Sequence, residues 1–303
     1  EHLGDPMTLQ DKLAGGEFVV TAEVTPPLSA SADVLLALAE PLAGLVDAIN
    51  VTDAPGARTA MSSFAAAAIL AREGLEPVLQ ITCRDRNRIA LAGDLLGAAA
   101  QGIENLLILH GDDPGNGDMP DALPVYDLDS RDLMSLARDM SEAGALPSGR
   151  LIEPPPRFFI GCADTPVDPP ADWVPNGLGS KIAAGARFAQ MQFCFDLDLV
   201  RRYFARLKET GITERLKLIV GIGPLLSARQ ARHMHDNLFG VSIPDTVIER
   251  LDKAGDARAE GLAICAELIS GLTTIEGVAG VHVMAPAQSS QAIAEAIRAS
   301  GLR

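Results

Sequence analysis

The sequence predicts an α/β protein built as one (β/α)8 TIM barrel. Strand-like runs alternate with helix-like runs along the whole chain of 303 residues, and eight such units fit the usual size of this barrel. The predicted strands are short and apolar on both faces, as expected for parallel strands that are covered by helices. A doubly wound open sheet is the alternative, and it is disfavoured because no Gly-x-Gly-x-x-Gly follows any predicted strand.

The predicted strands are runs rich in β-branched and other apolar residues. They cover residues 18–22, 47–52, 77–83, 105–110, 158–162, 188–193, 217–222 and 281–284. The first strand stops at Pro26 and Pro27, because proline cannot donate a hydrogen bond to a strand ladder. The fifth follows a proline-rich link at residues 153–156.

The predicted helices are mostly Ala- and Leu-rich segments between the strands. They cover residues 32–44, 58–72, 87–101, 130–143, 177–184, 197–210, 227–235, 244–254, 256–274 and 289–300. The second and third are followed by Gly74 and Gly102, since glycine readily adopts the left-handed conformation after a helix. The fourth strand leads into residues 111–129, an irregular stretch rich in Gly, Pro and Asp. Long loops in compact domains are usually functional.

Composition excludes several classes of function. The net charge of -15 argues against nucleic acid and against anionic membrane surfaces, since both reward clustered Lys and Arg. No apolar run reaches the roughly 18 residues that span a bilayer, and no secretory signal is recognisable, so a cytoplasmic protein is expected. Met7 is interpreted as the native start. Residues 1–6 are then an expression remnant, and residues 7–303 form one barrel domain without a composition break.

The four cysteines predict neither a zinc ribbon nor a thioredoxin motif, because no two of them are separated by two residues. They are Cys83, Cys162, Cys194 and Cys265. We expect small core residues in a reducing compartment. His110 and His282 are the only histidines on predicted strands and do not form a spaced pair, so no metal site is predicted.

One carboxylate stands out at the end of the first strand. Glu23 is followed by Val24, Thr25 and two prolines, so it lies where the strand stops and a rigid turn begins. In a barrel of parallel strands, catalytic groups lie at the carboxyl ends of the strands. We therefore expect Glu23 to be a proton donor, and a solvated loop carboxylate is the alternative.

The other predicted strand ends carry mainly carboxylate, carboxamide and hydroxyl groups. They are Thr52, Asp53, Gln80, Thr82, Arg84, His110, Asp112, Cys162, Asp164, Gln192, Gly221, Gly223 and Met284. No lysine fits an inner strand end, which disfavours a Schiff-base aldolase. Carboxylates and carboxamides bind the edges of fused heterocycles and transfer protons, but they leave redox chemistry to a cofactor.

Six short motifs follow one another along these strand ends and helices. They are Ala-Glu-Val-Thr-Pro-Pro at 22–27, Asn-Val-Thr-Asp at 50–53, Gln-Ile-Thr-Cys at 80–83, His-Gly-Asp-Asp-Pro at 110–114, Lys-Ile-Ala-Ala-Gly-Ala at 181–186 and Gln-Phe-Cys-Phe-Asp at 192–196. Together they resemble the 5,10-methylenetetrahydrofolate reductase family, whose members are flavin-dependent TIM barrels. The resemblance covers nearly the whole chain and is to a divergent bacterial and archaeal branch with the catalytic domain alone.

The resemblance implies flavin-dependent interconversion of 5,10-methylenetetrahydrofolate and 5-methyltetrahydrofolate, a one-carbon reaction that serves methionine biosynthesis. Glu23 would be the general acid that protonates N10 of the bridged folate and opens its five-membered ring to an iminium. This role needs a carboxylic acid that is protonated near neutral pH, which burial favours. Reduced flavin would deliver the hydride, with NADH or NADPH as co-substrate. Asp112 resembles the Asp beside flavin and folate, and Gln192 the carboxamide that contacts the pterin; a turn residue and a core residue are the alternatives.

The resemblance also implies a flavin site. Its cofactor-binding positions correspond to Thr52, Asp53, Gln80, His110, Gly111, Asp112, Cys162, Ala163 and Lys181. Lys181 would pair with the diphosphate of FAD, or would be a solvated helix lysine. Four positions depart from better-known members, where Gln80 replaces a His, His110 an Arg, Ala163 a Tyr and Ala228 an aromatic residue. These departures leave FAD, FMN and loss of the flavin open.

Tetrahydrofolate derivatives are thus the expected partners, in a homo-oligomer that binds neither nucleic acid nor membrane. Two other functions stay open: a folate-binding subunit that receives electrons from a partner protein, and a folate-dependent methyltransferase barrel without redox chemistry. Arg84, Arg86 and Arg88 would meet phosphate or the folate glutamate tail, or would form a charge cluster. The sequence sets neither the direction of the reaction nor the nicotinamide.

Overall fold

Eight parallel strands close into a barrel in the computed structural model, which describes residues 7–285 and 289–303. The strands pair in chain order and β8 returns to β1. They are β1 Val19–Val24, β2 Ala48–Val51, β3 Pro77–Thr82, β4 Asn105–Leu109, β5 Phe159–Asp164, β6 Phe188–Phe193, β7 Lys217–Ile222 and β8 Val278–Val283. The predicted single (β/α)8 barrel is confirmed. Residues 1–6, interpreted as an expression remnant, lie outside the described residues.

Helices surround the barrel, and one of them precedes β1. They are α1 Leu9–Gly15, α2 Ala32–Ala39, α3 Ser63–Arg72, α4 Arg88–Ala100, α5 Ser130–Glu142, α6 Asn176–Ala184, α7 Leu197–Glu209, α8 Ala228–Asn237, α9 Asp245–Lys253, α10 Ala257–Leu272 and α11 Ser290–Ala299. After β7, α8 and α9 are inserted before α10, which contacts β7 and β8 and acts as the barrel helix. Within the described ranges, no helix is both long and apolar enough to cross a membrane.

The short helix α1, which the sequence pattern does not predict, lies at the amino-terminal end of the barrel. Leu9 and Leu13 are almost fully buried against the first interior residues of several strands. The Glu76 carboxylate accepts hydrogen bonds from the Leu9 amide at 2.8 Å and the Asn105 side chain at 2.7 Å. Loss of solvation raises the pKa of this carboxyl group. The amino-terminal end of the barrel interior is therefore covered by α1.

The helix predicted from residue 58 begins only at Ser63. The Ser62 hydroxyl caps it by accepting a hydrogen bond from the Ala65 amide at 3.5 Å. The residues before it include a 3-10 turn, Pro55–Ala57. The φ angle is positive at Ala54, directly before the turn, and at Gly56 and Ala57 within it. Alanine-rich composition therefore extends the predicted helix into a loop that tertiary contacts hold in another conformation.

The last strand also differs from its predicted bounds, because it begins at Val278 rather than at residue 281. Gly280 lies inside it, and a Cβ there would be only 2.3 Å from the Val19 carbonyl oxygen. Glycine is therefore needed for the close approach of β1 and β8. Because glycine has a low strand propensity, the sequence pattern does not predict the first residues of β8.

Apolar residues fill two layers of the barrel. The larger lies between strands and helices, and the smaller lies inside the barrel at its amino-terminal end. All four cysteines are free and buried, which confirms their prediction as core residues. Burial raises the pKa of the Cys83 and Cys194 thiols to about 11 and that of the Cys162 and Cys265 thiols to about 12.

Candidate active site

Glu23 is the second-last residue of β1 and lies close to the barrel mouth, with 23% of its side chain exposed. Gln80 Nε2, on β3, donates a hydrogen bond to Glu23 Oε2 at 3.1 Å. His282 Nε2, on β8, lies 3.7 Å from the same oxygen. Oε1 has no hydrogen-bond partner among the described residues. One carboxylate oxygen therefore faces Gln80 and His282, and the other remains available to a ligand.

A layer of buried polar side chains lies beneath Glu23. Thr21, Asn50, Gln190 and His282 are 0–3% exposed, and they come from β1, β2, β6 and β8. Gln190 Nε2 donates to Thr21 Oγ1 at 3.1 Å and to Asn50 Oδ1 at 2.9 Å, and Asn50 Nδ2 donates to Gln190 Oε1 at 2.5 Å. His282 Nδ1 lies 2.9 Å from Thr21 Oγ1. A chain of hydrogen bonds therefore runs across the barrel interior to His282, whose Nε2 lies 3.7 Å from the candidate acid.

Asp53, after β2, is engaged by the protein itself. Its Oδ2 accepts from the Thr82 amide at 2.8 Å and the Thr82 hydroxyl at 3.0 Å, and it also pairs with Arg86. Arg86 reaches Asp94 on α4 as well. This cluster ties the ends of β2 and β3 together.

The neighbouring arginines are paired in the same way. Arg84, which is buried, donates twice to Asp85 at 2.8 Å and once to the Ala54 carbonyl at 3.2 Å. Arg88 binds both Asp127 oxygens, at 2.8 and 2.9 Å, and this pairing lowers the pKa of Asp127 to about 2. The contacts favour the charge-cluster interpretation of these arginines over phosphate or glutamate binding.

Thr52, directly after β2, carries a polar atom without a partner. Its side chain is 2% exposed, and its Oγ1 makes no hydrogen bond to the described residues. A buried hydroxyl is costly when unpaired. This hydroxyl, at one of the predicted cofactor positions, therefore suits a ligand atom.

His110, after β4, is exposed, and its ring stacks on Tyr126 with 4.4 Å between centroids and an angle of 5° between planes. Tyr126 has a φ of 39°, which is rare for a bulky residue, and its hydroxyl donates to the Gly111 carbonyl at 3.3 Å. Asp112 Oδ2 accepts from the Gly56 amide at 2.7 Å. The predicted His-Gly-Asp motif is therefore held in a fixed conformation that presents a flat ring at the rim.

Gly111 is required in this motif for two reasons. Its φ is +99°, and a Cβ there would lie 2.9 Å from the Arg84 Cβ and 3.1 Å from the Thr82 Cβ. Glycine alone lets the β4 end pack this closely on the β3 end.

The end of β5 brings only part of its predicted site to the mouth. Cys162 is fully buried in the outer apolar layer, because alternate residues of a strand face opposite sides. Lys181, on α6, donates to the Ala163 carbonyl at 2.6 Å. Asp164 accepts from the Tyr203 hydroxyl at 2.8 Å, and loss of solvation raises the pKa of Asp164.

Gln192, on β6, anchors a loop at the rim. Its Nε2 donates to the Phe239 carbonyl at 3.3 Å, and its Oε1 accepts from the Phe193 amide at 3.0 Å. The Phe239 ring is 89% exposed, on the connection between α8 and α9. The carboxamide and an exposed aromatic ring therefore lie on one side of the mouth.

Most of the predicted site residues lie at the barrel mouth, whereas the polar residues beneath them are not predicted as site residues. Glu23 and Gln80 are in contact, and Thr52, Asp53, His110, Gly111, Asp112, Ala163, Lys181 and Gln192 lie at or just beyond the carboxyl ends of their strands or on the following helix. Cys162 is not brought to the mouth. Thr21, Asn50, Gln190 and Tyr126 are missed as site residues, and His282 is noted in the sequence only as a strand histidine. The signal for the interior residues is a polar side chain inside an apolar strand.

Comparison with known proteins gives one family and several relatives. The family model described as methylenetetrahydrofolate reductase matches residues 8–301. A 5,10-methylenetetrahydrofolate reductase of Pectobacterium carotovorum subsp. carotovorum is 28% identical over 221 residues, which cover 70% of this chain and 65% of the relative. A probable methylenetetrahydrofolate reductase (NADPH) of Caenorhabditis elegans is 27% identical over 197 residues, 63% of this chain and 26% of the relative. The chain spans less than two thirds of the length of both.

Two solved structures share the fold. An uncharacterized protein from Clostridium thermocellum, which binds two copies of 5-methyl-5,6,7,8-tetrahydrofolic acid, has a TM-score of 0.63 at 15% identity, covering 96% of this chain and 97% of that chain. DmoA from Hyphomicrobium sulfonivorans has a TM-score of 0.53 at 10% identity, covering 88% of this chain and 84% of that chain. At these identities the likeness concerns the fold.

Proposed function

The chain belongs to the methylenetetrahydrofolate reductase family, and on that basis we propose that it interconverts 5,10-methylenetetrahydrofolate and 5-methyltetrahydrofolate, with Glu23 as the general acid. The observation that carries the proposal is the carboxylate at the mouth, with one oxygen near Gln80 and His282 and the other without a hydrogen-bond partner among the described residues. The Clostridium thermocellum protein, which has the same fold and binds a methylated folate, supports a folate as substrate.

The proton step follows from this arrangement. Protonated Glu23 gives its proton from Oε1 to N10 of the folate, the bond between N10 and the bridging carbon breaks, and its electron pair stays on N10. The bridging carbon becomes part of an iminium with N5. The negative charge left on Glu23 is met at Oε2 by the Gln80 amide. General acid catalysis of this kind contributes roughly 10²–10⁴-fold in rate.

The residues at the mouth fit a flavin ring in part. Within the part of the chain that the structure describes, the buried Thr52 hydroxyl has no partner. The flat His110 ring is exposed on the face away from Tyr126, and Lys181 has two N–H groups beyond the one that binds Ala163. A reduced flavin held by these residues would supply the hydride for the iminium carbon, and NADH or NADPH would supply the electrons that reduce the flavin. We propose FAD, and FMN or loss of flavin remains the alternative because Arg84, Arg86 and Arg88 are paired within the protein.

Asp112 and Gln192 are the proposed substrate-binding partners of Glu23. The Asp112 carboxylate now accepts from a backbone amide, and it retains acceptor positions for the N–H groups of a pterin. The Gln192 carboxamide offers both a donor and an acceptor to the same type of ring. Asp112 is also the proposed carboxylate beside the flavin, where its charge would oppose the build-up of negative charge on the ring.

The absorption spectrum of the purified protein tests the proposal first. We expect a flavin spectrum, bleaching by NADH or NADPH without oxygen, and recovery of colour on addition of 5,10-methylenetetrahydrofolate with formation of 5-methyltetrahydrofolate. Protein that carries no flavin and gains none on titration would contradict the flavin. Absence of folate turnover with flavin reduced would contradict the substrate. Light scattering after gel filtration tests the proposed homo-oligomer.

A folate-binding subunit that receives electrons from a partner protein is the second candidate. It is favoured by exposed apolar side chains on loops around the mouth, since such patches mark protein contacts. They are Leu28, Met119, Leu123, Val125, Val167, Val174 and Phe239. Turnover of folate by the isolated chain with NADH or NADPH would rule out this candidate.

A further inference from the structure

We propose that Thr21, Gln190 and Asn50 are positioning residues that hold His282 as its Nε2–H tautomer and direct that N–H at Oε2 of Glu23. The inference rests on the proposed role of Glu23 as the acid. It adds a function for the layer of buried polar side chains beneath Glu23.

The direction of the hydrogen bonds begins at the Asn50–Gln190 pair. The Gln190 amide nitrogen has two protons, and both are used: one goes to Asn50 Oδ1 at 2.9 Å and one to Thr21 Oγ1 at 3.1 Å. Asn50 Nδ2 returns a hydrogen bond to Gln190 Oε1 at 2.5 Å. Because Thr21 Oγ1 receives a proton from Gln190, its own hydroxyl proton is the one left to donate.

The Thr21 hydroxyl proton then fixes the imidazole. Its near acceptors are His282 Nδ1 at 2.9 Å and the Val281 carbonyl at 3.5 Å, and the shorter contact is to the ring. A ring nitrogen that accepts a hydrogen bond carries no proton, so in the neutral imidazole the proton is on Nε2. Nε2 is the nitrogen that faces Glu23 Oε2 at 3.7 Å.

The position of this layer argues for a role beyond packing. Barrel interiors are usually filled by branched apolar residues, whereas these four side chains are polar and 0–3% exposed. Buried polar groups rigidify a core when every member is paired, and here each one is paired. The layer therefore determines which ring nitrogen of His282 carries the proton that faces Glu23.

The consequence for the reaction is a division of labour between the two carboxylate oxygens. With Gln80 Nε2–H and His282 Nε2–H both directed at Oε2, the transferable proton of Glu23 resides on Oε1. When Oε1 gives this proton to the substrate nitrogen, the charge left behind is stabilised by the Gln80 N–H, which is hydrogen-bonded to Oε2 at 3.1 Å, and by the His282 N–H, whose nitrogen lies 3.7 Å from the same oxygen. No proton leaves His282 in this step.

Ring ¹⁵N chemical shifts of protein labelled in histidine test the tautomer directly. A His282→Asn variant identifies the His282 signals among the chain's five histidines. We expect a neutral ring with protonated Nε2 and a hydrogen-bonded, unprotonated Nδ1. A ring protonated on Nδ1, or on both nitrogens at neutral pH, would overturn the proposal, and this measurement uses the unaltered protein without folate.

Two Thr21 variants separate positioning from packing. Thr21→Val keeps the shape but removes the hydroxyl, and Thr21→Ser keeps the hydroxyl. We expect Thr21→Val to move the Nδ1 shift toward that of a free lone pair and to lower the rate of folate turnover. Thr21→Ser should resemble the unaltered protein in both. An unchanged Nδ1 shift in Thr21→Val, or an equal loss of folate turnover in Thr21→Ser, would refute the positioning role.

The two readouts also separate this inference from the proposed function. If the expected tautomer is found in a protein without folate turnover, the proposed function fails and the tautomer assignment stands. If folate turnover is present and the ring is protonated on Nδ1, the proposed function stands and the positioning role fails.

Discussion

The Asn50–Gln190 pair provides a stability test whose magnitude follows from the hydrogen bonds. Gln190→Met keeps the side-chain length but leaves both Asn50 Oδ1 and Nδ2 without partners in a fully buried position. At about 1–3 kcal/mol for each unsatisfied buried group, this change should lower the free energy of unfolding by about 4 kcal/mol.

The reverse change should cost a similar amount. Asn50→Leu leaves Gln190 Oε1 and one of the two Gln190 N–H groups unpaired, while the other N–H still donates to Thr21, so about 4 kcal/mol is expected. In the double variant neither amide remains, and Thr21 keeps His282 as its partner. The double variant should therefore be more stable than the sum of the single losses predicts, with a coupling energy of at least about 2 kcal/mol.

The free energy of unfolding is measured for the unaltered protein, the two single variants and the double variant by urea unfolding. The signal is the fluorescence of Trp173, the one tryptophan of the chain. The Trp173 ring packs against buried Tyr203 at an angle of 53°, with 5.5 Å between centroids, so its emission should report loss of the barrel. Additive losses in the double variant, or single losses below about 1 kcal/mol, would refute the account of a fully paired polar layer.

Three further predictions follow from buried groups. The pKa of Asp164 is raised by burial, so the stability that this carboxyl group contributes is present below the ordinary pKa of 3.8 and is lost as pH rises through the raised pKa. Asp164→Asn should therefore raise the melting temperature more at about pH 7 than at about pH 4. An equal change at both pH values would contradict this. The four thiols have pKa values raised to about 11 or 12, so they should not react with iodoacetamide in the native protein. All four should react in denaturant. Fast labelling of any thiol in the native protein would contradict this prediction. A Cβ at Gly161 would lie 2.3 Å from the Phe188 ring, so Gly161→Ala should destabilise by about 1–3 kcal/mol in urea unfolding, and Phe188→Leu should restore part of the loss; no loss would mean that the ring moves freely.

The barrel could be predicted because its strands obey a local rule. Each is a short run of apolar residues on both faces, and such runs followed by helices predict parallel strands covered by helices. Helix α1 is not predicted, because its seven residues, Leu9–Gly15, are too few to show a helical periodicity. Its burial depends on contacts with the barrel that form only in the folded protein. β8 is shortened in the prediction because Gly280 serves a close approach of backbones that is visible only after closure.

The mouth was predicted better than the interior for a similar reason. Glu23 and Gln80 lie near the carboxyl ends of strands, where topology alone collects them, and they are in contact. Asn50 and Gln190 are 140 residues apart, and nothing local indicates that they pair. Cys162 was expected at the site from the resemblance, but its position in the alternation of β5 puts it in the outer apolar layer.

Single-turnover folate reduction by Glu23→Gln tests the central claim most directly, because glutamine keeps the shape of the side chain and its acceptor for Gln80 but has no acidic proton. We predict a loss of roughly 10²-fold or more in the rate of methyl group formation. Binding of 5-methyltetrahydrofolate and reduction of the flavin by nicotinamide should change only a few-fold. Folate reduction at a rate close to that of the unaltered protein would contradict the role of Glu23 as the proton donor.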